Sequence, residues 1–175
     1  DLYLRIAIEL YHKRLIVGGY DKVYEISKVF RNEGMDRQHN PEFSLLESYE
    51  AYADYEDIMT LVEYLYIHLA DKVIGKREFE YQGIQLNFEP PFERLAYYDG
   101  IEKYAGVDVR DKSIEEIQNI CKSLEIQYDP KLGRGALIDL IFSETVEKNL
   151  IQPTFVVNHP VEISPLAKKH RNDPG

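Results

Sequence analysis

Residues 30–34 read Phe30-Arg31-Asn32-Glu33-Gly34, residues 39–43 read His39-Asn40-Pro41-Glu42-Phe43, and residues 47–49 read Glu47-Ser48-Tyr49. These segments predict two antiparallel strands, at about 22–32 and 43–53. The polar loop 34–42 is too long for a tight two-residue turn. The alternation of side chains along a strand then determines which residues share a face.

Charged and aromatic side chains share one face of this predicted strand pair. Counting by twos places Arg31 and Glu33 together on the first strand, and Phe43, Glu47 and Tyr49 together on the second. A half-buried strand normally covers apolar residues on one face and exposes polar residues on the other. The mixture of an arginine, carboxylates, an aromatic ring and a phenol predicts the floor of a polar binding cleft.

The composition narrows the class of protein. A chain of 175 residues has the size of one ordinary domain, and 44% hydrophobic with 30% charged residues is typical of globular proteins. The net charge of −10 opposes non-specific binding to nucleic acid. With a lone cysteine, Cys121, and no cluster of zinc-site spacing, we expect a reduced, cytoplasmic protein without an assigned metal site. No apolar run approaches the roughly 20 residues of a membrane span.

Periodicity and capping signals predict the remaining elements of an α+β fold. Asp54 is expected to cap an amphipathic helix ending at Gly75, and Ser113 to open a capping box. The other predicted elements are a strand at 3–6, a helix ending at Gly18-Gly19, a hairpin at 77–88, helices at 113–124 and 135–149, and a short buried strand at 155–157.

Motifs from end to end of the chain resemble the lysyl-tRNA synthetases, a class II aminoacyl-tRNA synthetase family. Besides the segments above, the resemblance rests on Arg5-Ile6-Ala7-Ile8-Glu9-Leu10-Tyr11, Lys13-Arg14-Leu15-Ile16-Val17-Gly18-Gly19, Ala51-Tyr52-Ala53-Asp54-Tyr55, Gln152-Pro153-Thr154-Phe155 and His159-Pro160-Val161-Glu162-Ile163-Ser164-Pro165-Leu166-Ala167-Lys168. It implies that residues 1–175 are part of a class II catalytic domain, an antiparallel sheet flanked by helices. The second signature motif would span about 22–53 and a helical insertion about 97–150. The first and third motifs would lie outside the chain, so we expect a fragment that is inactive by itself.

The resemblance also implies roles for residues. Arg31 would be catalytic, binding both the substrate carboxylate and the α-phosphate of ATP, for which a rigid guanidinium is well suited. Phe43 would stack on adenine, Glu33 and Asn40 would meet the adenine edge, and His39 would lie near the outer phosphates. The plain alternatives are a surface ion pair for Arg31, a core position for Phe43 and a solvated loop position for His39.

Lysine binding would fall to Glu9, Arg31, Glu47 and Tyr49, since buried ammonium groups require carboxylate or phenol partners. Glu9 could equally be a charge on a helix surface. The implied reaction joins lysine and ATP into lysyl-adenylate and transfers the lysyl group to tRNA(Lys). Mg²⁺ would bridge the phosphates through ligands beyond Gly175, and the parent protein would be a homodimer. Two alternatives stay open: a paralogue that lysylates a protein, and a non-catalytic nucleotide-binding module of the same fold.

Overall fold

The structure, a computed structural model, describes residues 2–32, 34–37 and 39–170. Its backbone divides into two compact units, with the boundary between Ile58 and Met59. Each unit is described by itself below. Each unit contains helices and a small number of paired strands, which is consistent with the α+β class.

The first unit contains helix α1 (Glu9–Val17) and an antiparallel pair formed by β1 (Lys22–Phe30) and β2 (Glu42–Glu50). Odd-numbered residues of both strands are covered to a greater degree than their even-numbered neighbours, so the predicted alternation is confirmed. Both strands are shorter than the predicted 22–32 and 43–53. After β2 the chain turns at Tyr52, whose φ of 61° is incompatible with a continuing strand.

The strand predicted at 3–6 is wrong. A strand requires a ladder of backbone hydrogen bonds, and this segment makes one such bond to β1, from the Phe30 amide to the Arg5 carbonyl at 2.9 Å. The predicted end of the following helix is confirmed: α1 ends at Val17, and the amide of Gly18 donates to the carbonyl of Arg14.

Helix α2 (Tyr55–Leu69) begins in the first unit and continues into the second. The carboxylate of Asp54 accepts a hydrogen bond from the amide of Glu56 at 2.9 Å, which confirms the predicted cap. A π-helical turn (Ala70–Ile74) extends α2, and Gly75 ends it with a φ of 82°. Several apolar side chains along this helix are partly exposed, with Leu61 and Leu69 each 43% exposed and Val73 of the π-helical turn 76% exposed.

The second unit holds two further pairs of strands. β3 (Glu78–Tyr81) and β4 (Ile84–Asn87) form the predicted hairpin. β5 (Glu93–Ala96) pairs in parallel with β6 (Thr154–Val157). The sequence predicted only antiparallel pairing and missed β5, and β6 is half-buried where a buried strand was expected.

Three helices form the core of the second unit: α3 (Tyr97–Ala105), α4 (Ile114–Ser123) and α5 (Arg134–Thr145). The capping box at Ser113 is confirmed, because its hydroxyl and the Glu116 carboxylate satisfy each other's backbone amides. The predicted continuation of the last helix to 149 is wrong, since α5 ends at Thr145 and a separate 3₁₀ turn covers Glu147–Asn149. The buried core consists of Leu95, Tyr97, Ile101, Val109, Ile117, Cys121, Leu137, Ile138, Ile141, Phe142 and Val146.

Candidate active site

The covered face of the β1–β2 pair carries the candidate site. Two carboxylates lie directly opposite each other there, because Glu25 of β1 pairs with Glu47 of β2. Like charges at such a position destabilise a sheet unless a cation neutralises one of them. Glu25 is neutralised: its carboxylate accepts from Arg5 Nη1 at 2.7 Å and contacts His12 Nε2 at 3.2 Å.

Glu47 is left with a hydroxyl and no cation. Its Oε2 accepts a hydrogen bond from the Tyr49 hydroxyl at 2.9 Å, and Glu47 forms no ion pair among the residues that the structure describes. Burial raises the pKa of the Tyr49 phenol to about 12, with further contributions from its hydrogen bond to Glu47 and from the charges of Glu47 and Glu9. This end of the face is therefore a half-buried, net negative site suited to an ammonium group.

Glu9 lies at the start of α1 and pairs with Lys13 on the same helix. Its side chain is 49% exposed, as a helix-surface charge would be. Its charge nevertheless contributes to the raised pKa of Tyr49, so it lies near enough to act on the same region. Both readings of Glu9 therefore have support in the structure.

At the other end of the face, Arg31 and Phe43 lie together. The Arg31 guanidinium carbon is 5.4 Å from the centroid of the Phe43 ring, a cation–π arrangement. Arg31 follows the last residue of β1; its amide donates to the Pro41 carbonyl at 2.9 Å, and its Nε donates to the Ile6 carbonyl at 3.3 Å. These bonds hold the arginine beside the strand although the ladder has ended.

The predicted loop residues His39 and Asn40 are exposed. The imidazole Nδ1 of His39 lies 2.8 and 2.9 Å from the carboxylate oxygens of Asp36, and the His39 amide donates to Asp36 at 2.7 Å. Asn40 accepts a weak hydrogen bond from the Glu42 amide at 3.4 Å. Within the described parts of the chain, neither forms a hydrogen bond or ion pair with another predicted site residue, and Glu33 lies outside those parts.

Reasoning from the sequence missed three residues around these groups: His12, Glu25 and Asp36. Glu25 had a usable signal, because counting back by twos from Val29 reaches it and places it on the site face. Asp36 also had one, because a carboxylate three residues before a histidine is well placed to orient its ring. His12 had none, since its position on α1 becomes meaningful only when α1 contacts the strand pair.

In the second unit, Glu162 has a structural role. The Arg134 guanidinium pairs with the Glu162 carboxylate and also donates to the backbone carbonyls of Lys112, at 2.8 Å, and Val109, at 3.1 Å. This ties the start of α5 to the short 3₁₀ turn Val161–Ile163 and to the loop before α4. His159, in the same segment, packs its ring against Tyr97 at 5.3 Å.

A cavity of about 350 Å³ also lies in the second unit, and no predicted site residue lines it. Its walls are mainly apolar, with Phe88, Phe92 and Phe155 among them. The polar Gln152 at its edge is already bonded to the backbone of Gln85 and Asn87, at 2.8 and 2.9 Å. The cavity therefore suits neither a nucleotide nor a charged amino acid.

Residues 2–32, 34–37 and 39–170 contain neither a metal-binding cluster nor a membrane-spanning helix. No group of three or more His, Cys, Asp or Glu side chains in these ranges is arranged to hold a metal ion. None of the helices described there combines the length and apolar character that a bilayer crossing requires.

The sequence of this chain matches a known protein family and is similar to several lysine–tRNA ligases. A family model described as tRNA synthetases class II (D, K and N) matches residues 1–175. A lysine–tRNA ligase of Thermoanaerobacter pseudethanolicus is 52% identical over 175 residues, which is 99% of this chain and 35% of that protein. Lysine–tRNA ligases of Clostridium tetani and Bacillus cereus (strain B4264) are 49% and 50% identical, again over 99% of this chain. The chain thus spans about a third of the length of these relatives, 35–36%.

Proposed function

Because this chain belongs to the class II tRNA synthetases of the D, K and N group, we propose that it forms part of the catalytic domain of a lysine–tRNA ligase. Its second signature motif would span about 22–53 and its helical insertion about 97–150, within the antiparallel sheet and flanking helices of a class II core. The observation that carries the proposal is the unneutralised Glu47 carboxylate, hydrogen-bonded to Tyr49 on the covered face of β2.

Glu47 and Tyr49 explain why the amino acid would be lysine. Of the two facing carboxylates, Glu25 is already paired with the Arg5 guanidinium, so a ligand cation is attracted to Glu47. An ammonium bound there gains a charge-assisted hydrogen bond. An amino acid with an uncharged side chain of similar length would leave the carboxylate unpaired. The site would therefore select lysine over such an amino acid. Glu9 adds negative charge at the same end.

Arg31 and Phe43 would bind ATP. Phe43 offers a flat surface for adenine, and a base that stacks on the face covered by Arg31 has to displace the guanidinium. Phe43 and Glu47 are four residues apart along β2, about 13 Å at roughly 3.3 Å per residue. A nucleotide at one end and an amino acid at the other would then meet beside Arg31. Glu33 and Asn40 would bind the adenine edge, and His39, oriented by Asp36, would meet the outer phosphates.

The chemistry follows from that placement. The lysine carboxylate oxygen attacks the α-phosphorus of ATP, the bond to the β-phosphate oxygen breaks, and pyrophosphate leaves. Arg31 would bind the two anions together and offset the charge that develops at phosphorus. The terminal ribose hydroxyl of tRNA(Lys) then attacks the lysyl carbonyl carbon and AMP leaves.

The other partners that we propose are Mg²⁺, tRNA(Lys) and a second copy of the protein. Mg²⁺ would supply positive charge to the phosphates of ATP, but no group of three or more His, Cys, Asp or Glu side chains among the described residues is arranged to hold it. The net charge of −10 disfavours binding to phosphates, so most of the affinity for tRNA(Lys) would come from parts of the full-length protein outside residues 1–175. A homodimer, a cytoplasmic location and the inactivity of residues 1–175 alone also remain predictions.

Lysine-dependent exchange of pyrophosphate into ATP by the full-length protein tests the proposal. Wild-type protein should show exchange with lysine and should charge tRNA(Lys). Arg31→Lys should lower the exchange rate by about 100-fold or more, because an ammonium cannot make the two-pronged contact. Arg77→Lys is the matched control, since the partners of Arg77, Asp71 and Glu89, can still pair with an ammonium.

Three outcomes would contradict parts of this proposal. Absence of lysine-dependent exchange would refute the synthetase function. Exchange without charging of tRNA would favour the paralogue that lysylates a protein. Near wild-type exchange by Arg31→Lys would remove Arg31 from its catalytic role while leaving the substrate assignment in place.

A further inference from the structure

A buried histidine lies beneath the proposed lysine site. His12 is only 4% exposed although it is polar and sits on α1, a helix whose other residues are mostly exposed. Its imidazole stacks on the Tyr49 ring, with centroids 5.7 Å apart and planes only 7° from parallel. The offset, near-parallel arrangement is a favourable geometry for two rings.

The imidazole is fixed on its second side by Glu25. Because a carboxylate only accepts, Nε2 of His12 donates to it across 3.2 Å. Glu25 is itself held by Arg5, whose Nε also donates to the Lys28 carbonyl of β1 at 3.0 Å. The plane of the imidazole is therefore set from outside the substrate site.

The remaining ring nitrogen shows that the position is not optimised for stability. Nδ1 of His12 is buried and has no hydrogen-bond partner among the described residues. A buried polar atom without a partner carries a desolvation cost, which an apolar side chain of similar size would avoid. Selection for packing alone would therefore favour a leucine at this position of α1.

We propose that His12 is a positioning residue for the amino-acid site, holding the Tyr49 ring by stacking so that the Tyr49 hydroxyl orients Glu47 toward the substrate ammonium. This inference rests on the proposed function. Glu25 and Arg5 keep the imidazole in the plane that Tyr49 requires. His12 on α1 would thus act on the Glu47 carboxylate only indirectly, by fixing the position of the Tyr49 ring.

Three substitutions in the full-length protein separate the ring from the hydrogen bond. His12→Leu fills the space without a planar ring, His12→Gln keeps a donor for Glu25 without a ring, and His12→Phe keeps a ring without the donor. We expect His12→Leu and His12→Gln to raise KM for lysine about 3- to 10-fold, as the loss of an aromatic pair predicts, with KM for ATP unchanged. His12→Phe should stay within about twofold of wild type. His68→Leu, at an exposed histidine of α2, is the control and should change neither constant.

The split between the two KM values identifies a positioning role. A merely structural histidine would lower the active fraction of enzyme, so the apparent kcat would fall while both KM values stayed constant. That result, or a His12→Phe variant as impaired toward lysine as His12→Leu, would overturn the inference. Wild-type protein without lysine-dependent exchange would refute the proposed function and this inference with it, whereas an active wild type with unaffected His12 variants refutes the inference alone.

Discussion

Gly135→Ala should destabilise the second unit because of one close approach between α5 and the 3₁₀ turn Val161–Ile163. A Cβ built on Gly135 would lie 2.5 Å from Cβ of Glu162 and 3.3 Å from Cγ2 of Ile163. Favourable carbon contacts begin at about 3.5 Å, so the overlap with Glu162 is about 1 Å. Glu162 cannot yield freely, because the contacting atom adjoins the backbone and the Arg134 guanidinium holds its carboxylate.

The magnitude follows from two opposing terms. Overpacking that forces the backbone to shift costs about 1–3 kcal/mol. Alanine in a helix is favoured over glycine by up to about 1 kcal/mol, and less in the first turn, where Gly135 lies. The free energy of unfolding should therefore fall by about 1–2 kcal/mol.

Urea unfolding followed by far-ultraviolet circular dichroism measures the change. The matched control is Gly133→Ala, two residues earlier: its Cβ would meet nothing within 4 Å, and its φ of −72° suits alanine. Because glycine is preferred to alanine at an N-cap, the control should itself cost about 0.5–1 kcal/mol, less than the loss expected for Gly135→Ala. Equal stability of Gly135→Ala and wild type would refute the reasoning, and so would equal losses in the two variants.

Three further predictions concern single hydroxyl and carboxylate groups. In the full-length protein, Glu47→Gln should raise KM for lysine about 10-fold or more and KM for ATP little, since a bond to a charged group is lost; equal rises in pyrophosphate exchange would reassign Glu47 to fold support. Tyr97→Phe should lower the free energy of unfolding by about 1–2 kcal/mol, because the buried Tyr97 hydroxyl donates to Asp139 at 3.0 Å. Tyr128→Phe, at a hydroxyl without a hydrogen-bond partner among the described residues, is its control in urea unfolding. Because the folded pKa of Tyr49 is raised to about 12 from 10, the unfolded chain loses this proton first as pH rises, so stability falls between about pH 10 and 12; Tyr49→Phe should show a smaller loss across that window, and an unchanged loss would count against the raised pKa.

Local rules predicted the parts of the fold that depend on local interactions. The period of two in β1 and β2, the Asp54 cap, the capping box at Ser113 and the helix end at Gly75 each involve residues within a few positions of one another. The site face could be predicted for the same reason, because alternation along one strand requires no knowledge of the rest of the chain.

Non-local pairing accounts for the failures. β5 is only four residues long and contains one buried residue, Leu95, so it has no period of its own. It becomes a strand because it pairs with β6, which lies about 60 residues later in the chain. The segment 3–6 shows the converse: its composition favours a strand, but only one backbone hydrogen bond joins it to β1. A segment becomes a strand only when it pairs with another segment, and the sequence around one strand does not show whether a distant partner is available.

The same limit applies to the candidate site, where strand alternation alone cannot distinguish the two facing carboxylates. Glu25 and Glu47 face each other across β1 and β2, and alternation alone treats them identically. The difference comes from outside the strands: Arg5 and His12 approach Glu25, and Tyr49 approaches Glu47 with a hydroxyl that orients the carboxylate without neutralising it. Glu25 is therefore neutralised within the protein, and we propose that Glu47 keeps its charge for a ligand. The unequal neutralisation would direct a cation to Glu47, and removing Arg5 should make Glu25 compete with Glu47 for the same ammonium.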